Sequence, residues 1–176
     1  MRIVAGTSRG RRLVVPDGTE VRPTSDRVRE SVFNALYSLD DAVEGATVLD
    51  LFAGTGALGL EALSRGATHV TFIENNREAA TALATNIDTL GYASQCTVIR
   101  TDARRWLSSA PRFDLAFLDP PYEFAEWESL LSSLSAGLAV VESDRSIALP
   151  PDWGLVRERR YGATVVQIVR SLATLE

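Results

Sequence analysis

Short apolar runs with the length of buried strands alternate with helix-type patterns over most of this chain. Strands are predicted at residues 47–51, 69–73, 96–100, 113–118 and 138–141. Helices are predicted after Gly56 and at residues 77–90, 103–107 and 127–134, and a hairpin of two further strands, 155–161 and 163–170, closes the chain. Strands that alternate with helices form a mostly parallel sheet covered by helices. The sequence therefore predicts an α/β fold with a seven-stranded, mostly parallel sheet and an antiparallel terminal hairpin.

The first 39 residues precede this alternation, and we expect them to form a small extension packed on a core at residues 40–176. Residues 2–5 and 11–15 are predicted as two short strands, because the segment 6–10 between them begins and ends with glycine and is typical of a turn. A helix is predicted to begin after Thr24 or Ser25 and to run to about Leu39, since apolar residues recur there at helical spacing.

Positive charge is concentrated in the first 29 residues, although the whole chain of 176 residues carries a net charge of −5. That segment holds seven arginines and three carboxylates, whereas the rest of the chain holds 11 basic and 20 acidic side chains. The acidic total argues against a protein that coats itself in nucleic acid, and the asymmetry localises any phosphate-binding surface to the N-terminal segment. A solvated basic arm is an equally good interpretation of the charge alone.

Cysteine usage and hydropathy further narrow the class of protein to which the chain can belong. Cys96 is the only cysteine, which excludes an intramolecular disulfide and a four-thiolate metal site. No cluster of histidine, cysteine and aspartate suggests a metal, and no apolar run approaches the roughly 20 residues that a membrane helix needs. We therefore expect a metal-free cytoplasmic protein.

A glycine-rich loop follows the first strand of the core, in the stretch Asp50-Leu-Phe-Ala-Gly54-Thr-Gly56-Ala-Leu-Gly59. Glycines at such a position let the backbone turn tightly and approach a ligand at a helix N-terminus. The spacing alone also fits a dinucleotide fingerprint, with Glu74 as the ribose-binding acid. Asp50, however, would repel a pyrophosphate at this turn and would favour a ligand that carries an ammonium and a sulfonium group.

Three successive predicted strands each end in a carboxylate: Asp50, Glu74 and Asp102. The carboxyl ends of parallel strands meet at one edge of the sheet, where open α/β sheets bind ligands. Glu74 can accept two ribose hydroxyls there, and Asp102 can accept an adenine amino group while Ala103 offers a backbone N–H. Asp102 is equally suited to cap a helix, and the two roles are compatible.

The fourth predicted strand ends in Asp119-Pro120-Pro121-Tyr122. The two prolines hold the backbone extended, so the Asp119 carboxylate and the Pro120 carbonyl can project into one small cavity. These two acceptors suit an amino group with two N–H donors, and Tyr122 offers a face on which a flipped-out base can stack. The alternative is a rigid loop between a strand and a helix with a surface tyrosine.

These motifs resemble those of the class I methyltransferases that modify base amino groups. The stretch Met1-Arg-Ile-Val-Ala-Gly-Thr-Ser-Arg-Gly-Arg-Arg-Leu13 and the stretch Val21-Arg-Pro-Thr-Ser-Asp-Arg-Val-Arg-Glu-Ser-Val-Phe-Asn34 are similar, more specifically, to the RsmD family of bacterial 16S rRNA guanine-N2 methyltransferases. The resemblance spans nearly the whole chain and is strongest over residues 1–76 and 113–122. It implies a Rossmann-like fold and methylation at position 966 of 16S rRNA within the assembling small ribosomal subunit, by a monomer that uses S-adenosylmethionine.

The resemblance also implies roles for individual residues. The expected cofactor-binding residues are Asp50, Phe52, Gly54, Gly56, Glu74, Asn75, Asp102 and Ala103. The expected catalytic residues are Asp119, Pro120, Pro121 and Tyr122. The arginines expected to bind RNA phosphates are Arg2, Arg9, Arg11, Arg12, Arg22 and Arg27.

Other functions stay open at this point. The same tetrapeptide would serve an enzyme that methylates adenine N6 or cytosine N4 of DNA, or a protein glutamine. An asparagine in its first position would favour glutamine, and this short chain has no room for a separate DNA-recognition domain. A non-catalytic RNA-binding module that retains a cofactor fold is a rival from another class, and a dinucleotide-dependent oxidoreductase is a third.

Overall fold

A computed structural model describes residues 1–16 and 25–173 of the chain. The helices are α1 (Asp26–Tyr37), α2 (Ala57–Ser64), α3 (Arg77–Leu90), α4 (Ala103–Leu107) and α5 (Trp127–Ser133), with a short 3-10 turn at Ala93–Gln95. The strands are β1 (Thr47–Asp50), β2 (His69–Ile73), β3 (Cys96–Ile99), β4 (Phe113–Leu118), β5 (Ala136–Ser143), β6 (Trp153–Tyr161) and β7 (Thr164–Ser171). Within these residues, no helix is long and apolar enough to cross a membrane.

The seven strands form one sheet in the order β3-β2-β1-β4-β5-β7-β6. The pairs among the first five strands are parallel, and β7 is antiparallel to both β5 and β6. The prediction of a seven-stranded, mostly parallel sheet with an antiparallel terminal hairpin is confirmed. The strand order proceeds from β1 to one edge of the sheet through β2 and β3, and to the other edge through β4 and β5. This reversal creates a crevice at the carboxyl ends of β1 and β4, where such sheets bind ligands.

Two apolar layers cover the two faces of the sheet. One contains Val32, Phe33 and Leu36 of α1 together with the apolar residues of α2 and α3, and the rings of Phe33 and Phe117 lie 5.5 Å apart across it. The other layer contains the apolar residues of α4 and α5. Helix α1 is therefore part of the main core, although it belongs to the predicted N-terminal extension.

Local sequence explains where the helices begin and end. The side chain of Ser25 accepts a hydrogen bond from the backbone N–H of Val28 and caps α1, one of the two caps that the sequence allowed. Asn76 caps α3 in the same way through the N–H of Ala79. The left-handed backbone of Gly91, with a φ of 77°, ends α3.

The prediction of two short strands at residues 2–5 and 11–15 is wrong. A single antiparallel bridge joins Arg2 and Arg12. The N–H groups of Ile3 and Leu13 donate to the carbonyls of Arg11 and Met1 on either side of this bridge, whereas those of Val4 and Ala5 donate to the carboxylate of Glu61 on α2, at 2.8 and 3.0 Å. Strand β5 also runs further than the predicted range 138–141.

Glu61 holds the N-terminal segment on the core. Its side chain is fully buried, and besides the two backbone N–H groups it accepts from the guanidinium groups of Arg29 and Arg65. The Arg29 side chain is also fully buried and donates to the backbone carbonyl of Arg2. Buried charges are tolerated only where they are paired, so this network ties residues 1–5 to α1 and α2.

Candidate active site

A cavity of about 1120 Å³ opens at the carboxyl ends of the five parallel strands. Each of these strands contributes a carboxylate to the lining within three residues of its last residue: Asp50, Glu74, Asp102, Asp119 and Glu142. The three acids expected to bind a cofactor and the acid expected to bind an amino group thus line one cavity. Ligand sites are usually 300–1000 Å³, so this cavity has room for a cofactor and a base together.

Asp50 is the most deeply buried of these acids, with 2% of its surface exposed. Its Oδ2 accepts the backbone N–H of Gly59 at 3.0 Å. Burial raises the pKa of its carboxyl from 3.8 to about 7; the Gly59 hydrogen bond opposes this shift and the nearby charge of Glu74 adds to it. A cation in the cavity would offset this burial and favour the ionised form.

Glu74 fixes the glycine-rich loop. Its Oε2 accepts the N–H of Gly54 and its Oε1 accepts the N–H of Asn76, each at 2.7 Å. Gly54 adopts a φ of 55°, which favours glycine because it has no side chain. The carboxylate therefore shapes the loop and lines the cavity at once.

Gly56 was expected to bind the cofactor, but the structure does not place it in the cavity lining. It precedes α2 with a φ of 86°, and a Cβ there would lie 2.3 Å from Cδ1 of Leu83. A Cβ on Gly59 would lie 2.3 Å from the Phe72 ring. Only the first glycine of the motif borders the cavity, and the other two let α2 pack closely on α3 and on β2.

The other expected cofactor residues line the cavity. Asp102 caps α4 by accepting the N–H of Arg105 at 3.0 Å. It also lines the cavity beside Ala103, so its position as a helix cap does not remove it from the cavity. Asn75 lies on the same rim. Phe52 packs edge-on against Phe124, with 5.7 Å between ring centroids, and closes one wall.

The four residues Asp119-Pro120-Pro121-Tyr122 all line the cavity. Pro120 is buried, whereas the Tyr122 side chain is 43% exposed. The N–H of Phe124 donates to the carbonyl of Pro121 at 2.9 Å and closes the turn after the tetrapeptide. The arrangement sets an acid and an accessible aromatic ring in the lining of a cavity that five other acids also line.

Sequence reasoning missed several lining residues, among them Met1, Thr101, Glu142 and Ser143. Glu142 and Ser143 are the last two residues of β5, and both are buried. The rule that located the other acids, a carboxylate at the end of a parallel strand, would have located Glu142. Glu142 directly follows the predicted strand 138–141, just as Glu74 and Asp119 directly follow theirs.

The arginines expected to bind RNA differ in their hydrogen bonding. Arg2, Arg9, Arg12 and Arg27 are exposed. Arg11 is exposed too, but its Nη2 donates to the carbonyl of Thr89 near the end of α3, at 2.7 Å.

Arg22 falls outside the residues that the structure describes. At least four arginines of the N-terminal segment are thus exposed, and their binding of RNA stays a prediction.

Residues with other chemistry lie away from the cavity lining. Cys96 is half-buried in β3, and burial raises the pKa of its thiol to about 12, so it is not a thiolate near neutral pH. The described residues contain no group of three or more histidine, cysteine, aspartate or glutamate side chains that could hold a metal ion.

The sheet order and the strand-end site define the fold of the Rossmann-like, S-adenosylmethionine-dependent methyltransferases. The chain is 38% identical to ribosomal RNA small subunit methyltransferase D of Haemophilus influenzae, over 92% of this chain and 89% of that protein. It is 37% identical to the Escherichia coli K12 protein of the same name, over 96% and 88%. The solved structure of yhhF from Escherichia coli is 36% identical, covers 99% of each chain and superposes with a TM-score of 0.87.

A family model described as "Conserved hypothetical protein 95" matches residues 1–170. The chain belongs to this family, the RsmD family of methyltransferases.

Proposed function

We propose that this protein transfers a methyl group from S-adenosylmethionine to the exocyclic N2 of a guanine in 16S rRNA of the small ribosomal subunit. The observation that carries the proposal is that two sets of residues line one cavity. One set is the strand-end acids Asp50, Glu74 and Asp102, which suit a cofactor, and the other is the segment that begins at Asp119, which suits an amino group. The names of the two curated relatives support the rRNA of the small subunit as the acceptor.

The residues present fit S-adenosylmethionine. Burial raises the pKa of the Asp50 carboxyl, and a cationic ligand beside it would favour the ionised form. Glu74 and Asp102 offer acceptors to ribose and adenine groups on neighbouring strand ends. When bound, the cofactor supplies an electrophilic methyl group on a positively charged sulfur; transfer breaks the carbon–sulfur bond and forms a carbon–nitrogen bond.

The acceptor side of the cavity needs to orient a poor nucleophile, because the lone pair of guanine N2 is delocalised into the ring. The Asp119 carboxylate and the Pro120 carbonyl each accept one N–H of the amino group and direct its lone pair towards the cofactor side. These hydrogen bonds strengthen as N2 becomes positively charged, so they stabilise the transition state more than the ground state. The excess proton on N2 then leaves to the Asp119 carboxylate or to water.

Tyr122 and the exposed arginines would hold the substrate. The accessible Tyr122 ring can stack on a base that has left its helix, as enzymes that act on nucleobases require. Arg9, Arg12 and Arg27 present positive charge from the N-terminal segment to the phosphates of folded RNA. An acidic protein whose positive charge is concentrated in its N-terminal segment is suited to an acceptor of defined shape, such as rRNA within an assembling subunit, more than to naked RNA of any sequence.

Replacement of Asp119 tests the proposal. With small subunits from cells that lack this enzyme as acceptor, Asp119→Ala should lower kcat by roughly 10²-fold or more, because it removes a hydrogen bond that counts in the transition state. Affinity for S-adenosylmethionine, measured by calorimetry, should stay within a few-fold of wild type. The matched control is Asp144→Ala, an exposed aspartate just beyond β5 and outside the cavity lining. Unchanged turnover in Asp119→Ala would remove Asp119 from this role.

A further inference from the structure

We propose that Glu142 determines the base specificity of this site: its carboxylate accepts the N1–H of the target guanine, beside the amino group that Asp119 holds. The inference rests on the proposed function, and it names the group that separates guanine from the other bases with an amino group.

Selectivity has to come from outside the tetrapeptide. Asp119 and the Pro120 carbonyl accept two N–H groups, and any exocyclic amino group presents two. Adenine N6, cytosine N4 and guanine N2 are therefore equivalent to them. Tyr122 stacks on any base, because every base has a π face. The three bases differ at the ring nitrogen next to the amino group. A residue beside Asp119 in the cavity lining has to contact this nitrogen if the site is to tell the bases apart.

Strand register places Glu142 beside Asp119. Leu118 of β4 is the register partner of Val141 in β5, and each acid is the next residue along its parallel strand. Residues in register on adjacent strands project to the same face, and the strands lie about 4.8 Å apart. The register therefore sets Asp119 and Glu142 at neighbouring positions of adjacent strands, and both line the cavity, so one base can reach both residues.

Glu142 is a buried residue of the cavity lining. Only 7% of its surface is exposed, although it lines the cavity. A carboxylate withdrawn from water at this depth discriminates strongly, because its charge is poorly screened and repels a ligand that sets a lone pair against it.

The chemistry of the base edges sets the direction of the selectivity. Guanine carries an N1–H donor next to its amino group, and this donor pairs with a carboxylate. Adenine presents the unprotonated N1 next to its amino group, and cytosine presents the unprotonated N3. Either would set a lone pair against the Glu142 carboxylate. A site that is built to pair with a polar group rejects an analogue that lacks it far better than an apolar site does.

2-Aminopurine separates this contact from the rest of the site, because it keeps the amino group at position 2 but has no N1–H. Small subunits can be reconstituted with 16S rRNA that carries either guanine or 2-aminopurine at the nucleotide that the wild-type enzyme methylates. We expect wild-type kcat/KM to be at least ~10²-fold higher for guanine, as for other sites that pair with a substrate group. In Glu142→Gln the side-chain amide can donate to N1 of 2-aminopurine, so the ratio of the two kcat/KM values should fall at least tenfold.

Controls separate this role from a structural one. Glu128→Gln, an exposed glutamate of α5 outside the cavity lining, should keep the wild-type ratio. If Glu142→Gln does not fold, Glu142→Asp retains the charge but withdraws it by one methylene, and it too should lower the ratio.

An equal loss for both substrates, with the ratio unchanged, would overturn the assignment of Glu142 and leave the proposed function intact. Failure of the wild-type enzyme to form N2-methylguanosine in the guanine subunits would instead overturn the proposed function itself.

Discussion

Asp50 is predicted to reduce the stability of the ligand-free protein while it serves the cofactor site. Between pH 4 and pH 7 the folded protein holds a proton on this carboxyl, whose pKa is raised from 3.8 to about 7, whereas the unfolded chain has released it. The unfolded state therefore binds fewer protons in this range, and the free energy of unfolding falls as the pH rises through it. Asp50→Asn removes the titration and keeps an oxygen to accept the Gly59 N–H.

The magnitude follows from the size of the pKa change. A shift of about three units, at roughly 1.4 kcal/mol per unit, corresponds to an upper limit of ~4 kcal/mol at alkaline pH. About 2–3 kcal/mol of this develops between pH 5 and pH 8, because part of the change lies below pH 5. Asp50→Asn should thus be close to wild type in stability at low pH and clearly more stable than wild type at pH 8.

Urea unfolding of the ligand-free wild type and of Asp50→Asn at pH 5 and pH 8 measures this difference. The stability gained by the variant should grow with pH by about 2 kcal/mol or more. Asp88→Asn, an exposed aspartate on α3, is the control and should show no such growth. Calorimetry should find that Asp50→Asn binds S-adenosylmethionine more weakly at pH 8. A stability difference that is constant with pH, or that shrinks as pH rises, would refute the reasoning.

Two further substitutions test the packing around the site. Gly59→Ala should lower the free energy of unfolding by about 1–3 kcal/mol in urea titrations, because its Cβ would lie 2.3 Å from the Phe72 ring; an unchanged midpoint would contradict the close approach of α2 to β2. Glu61→Ala should cost about 3–5 kcal/mol, because it breaks the fully buried ion pair with Arg29 and leaves two backbone N–H groups without their acceptor. Hydrogen exchange should show faster exchange of the backbone N–H groups of residues 4 and 5; exchange at the wild-type rate would show that Glu61 does not hold this segment.

The carboxylates of the site were predictable because one physical rule applies to each. Parallel strands end at a common edge, so a strand pattern followed by an acid locates that acid at the ligand site. Asp50, Glu74, Asp102 and Asp119 all satisfied the rule, and the structure brings them to one cavity. Glu142 satisfies the same rule, because it directly follows the predicted strand 138–141; what the sequence did not indicate is that β5 continues through the buried polar residues 142 and 143.

What could not be predicted depends on contacts between distant parts of the chain. The spacing of Gly56 and Gly59 indicates a tight turn, but it does not reveal that Leu83 and Phe72 occupy the space of their missing side chains. Nothing local to Val4 indicates that its N–H pairs with Glu61, 57 residues away, so a strand was the natural prediction there. Periodicity in the sequence indicates which residues are buried and how they are spaced. It does not indicate which distant residues contact each other, and these contacts depend on that.

The most direct test of the proposed function is transfer of a tritiated methyl group from S-adenosylmethionine to three acceptors: small ribosomal subunits from cells that lack this enzyme, naked 16S rRNA, and duplex DNA. Nucleoside analysis of the labelled product identifies the base and the atom that receive the methyl group. We predict N2-methylguanosine, formed mainly with the subunits. Label in DNA as N6-methyladenine or N4-methylcytosine, or no transfer to any acceptor despite measurable cofactor binding, would contradict the proposed function.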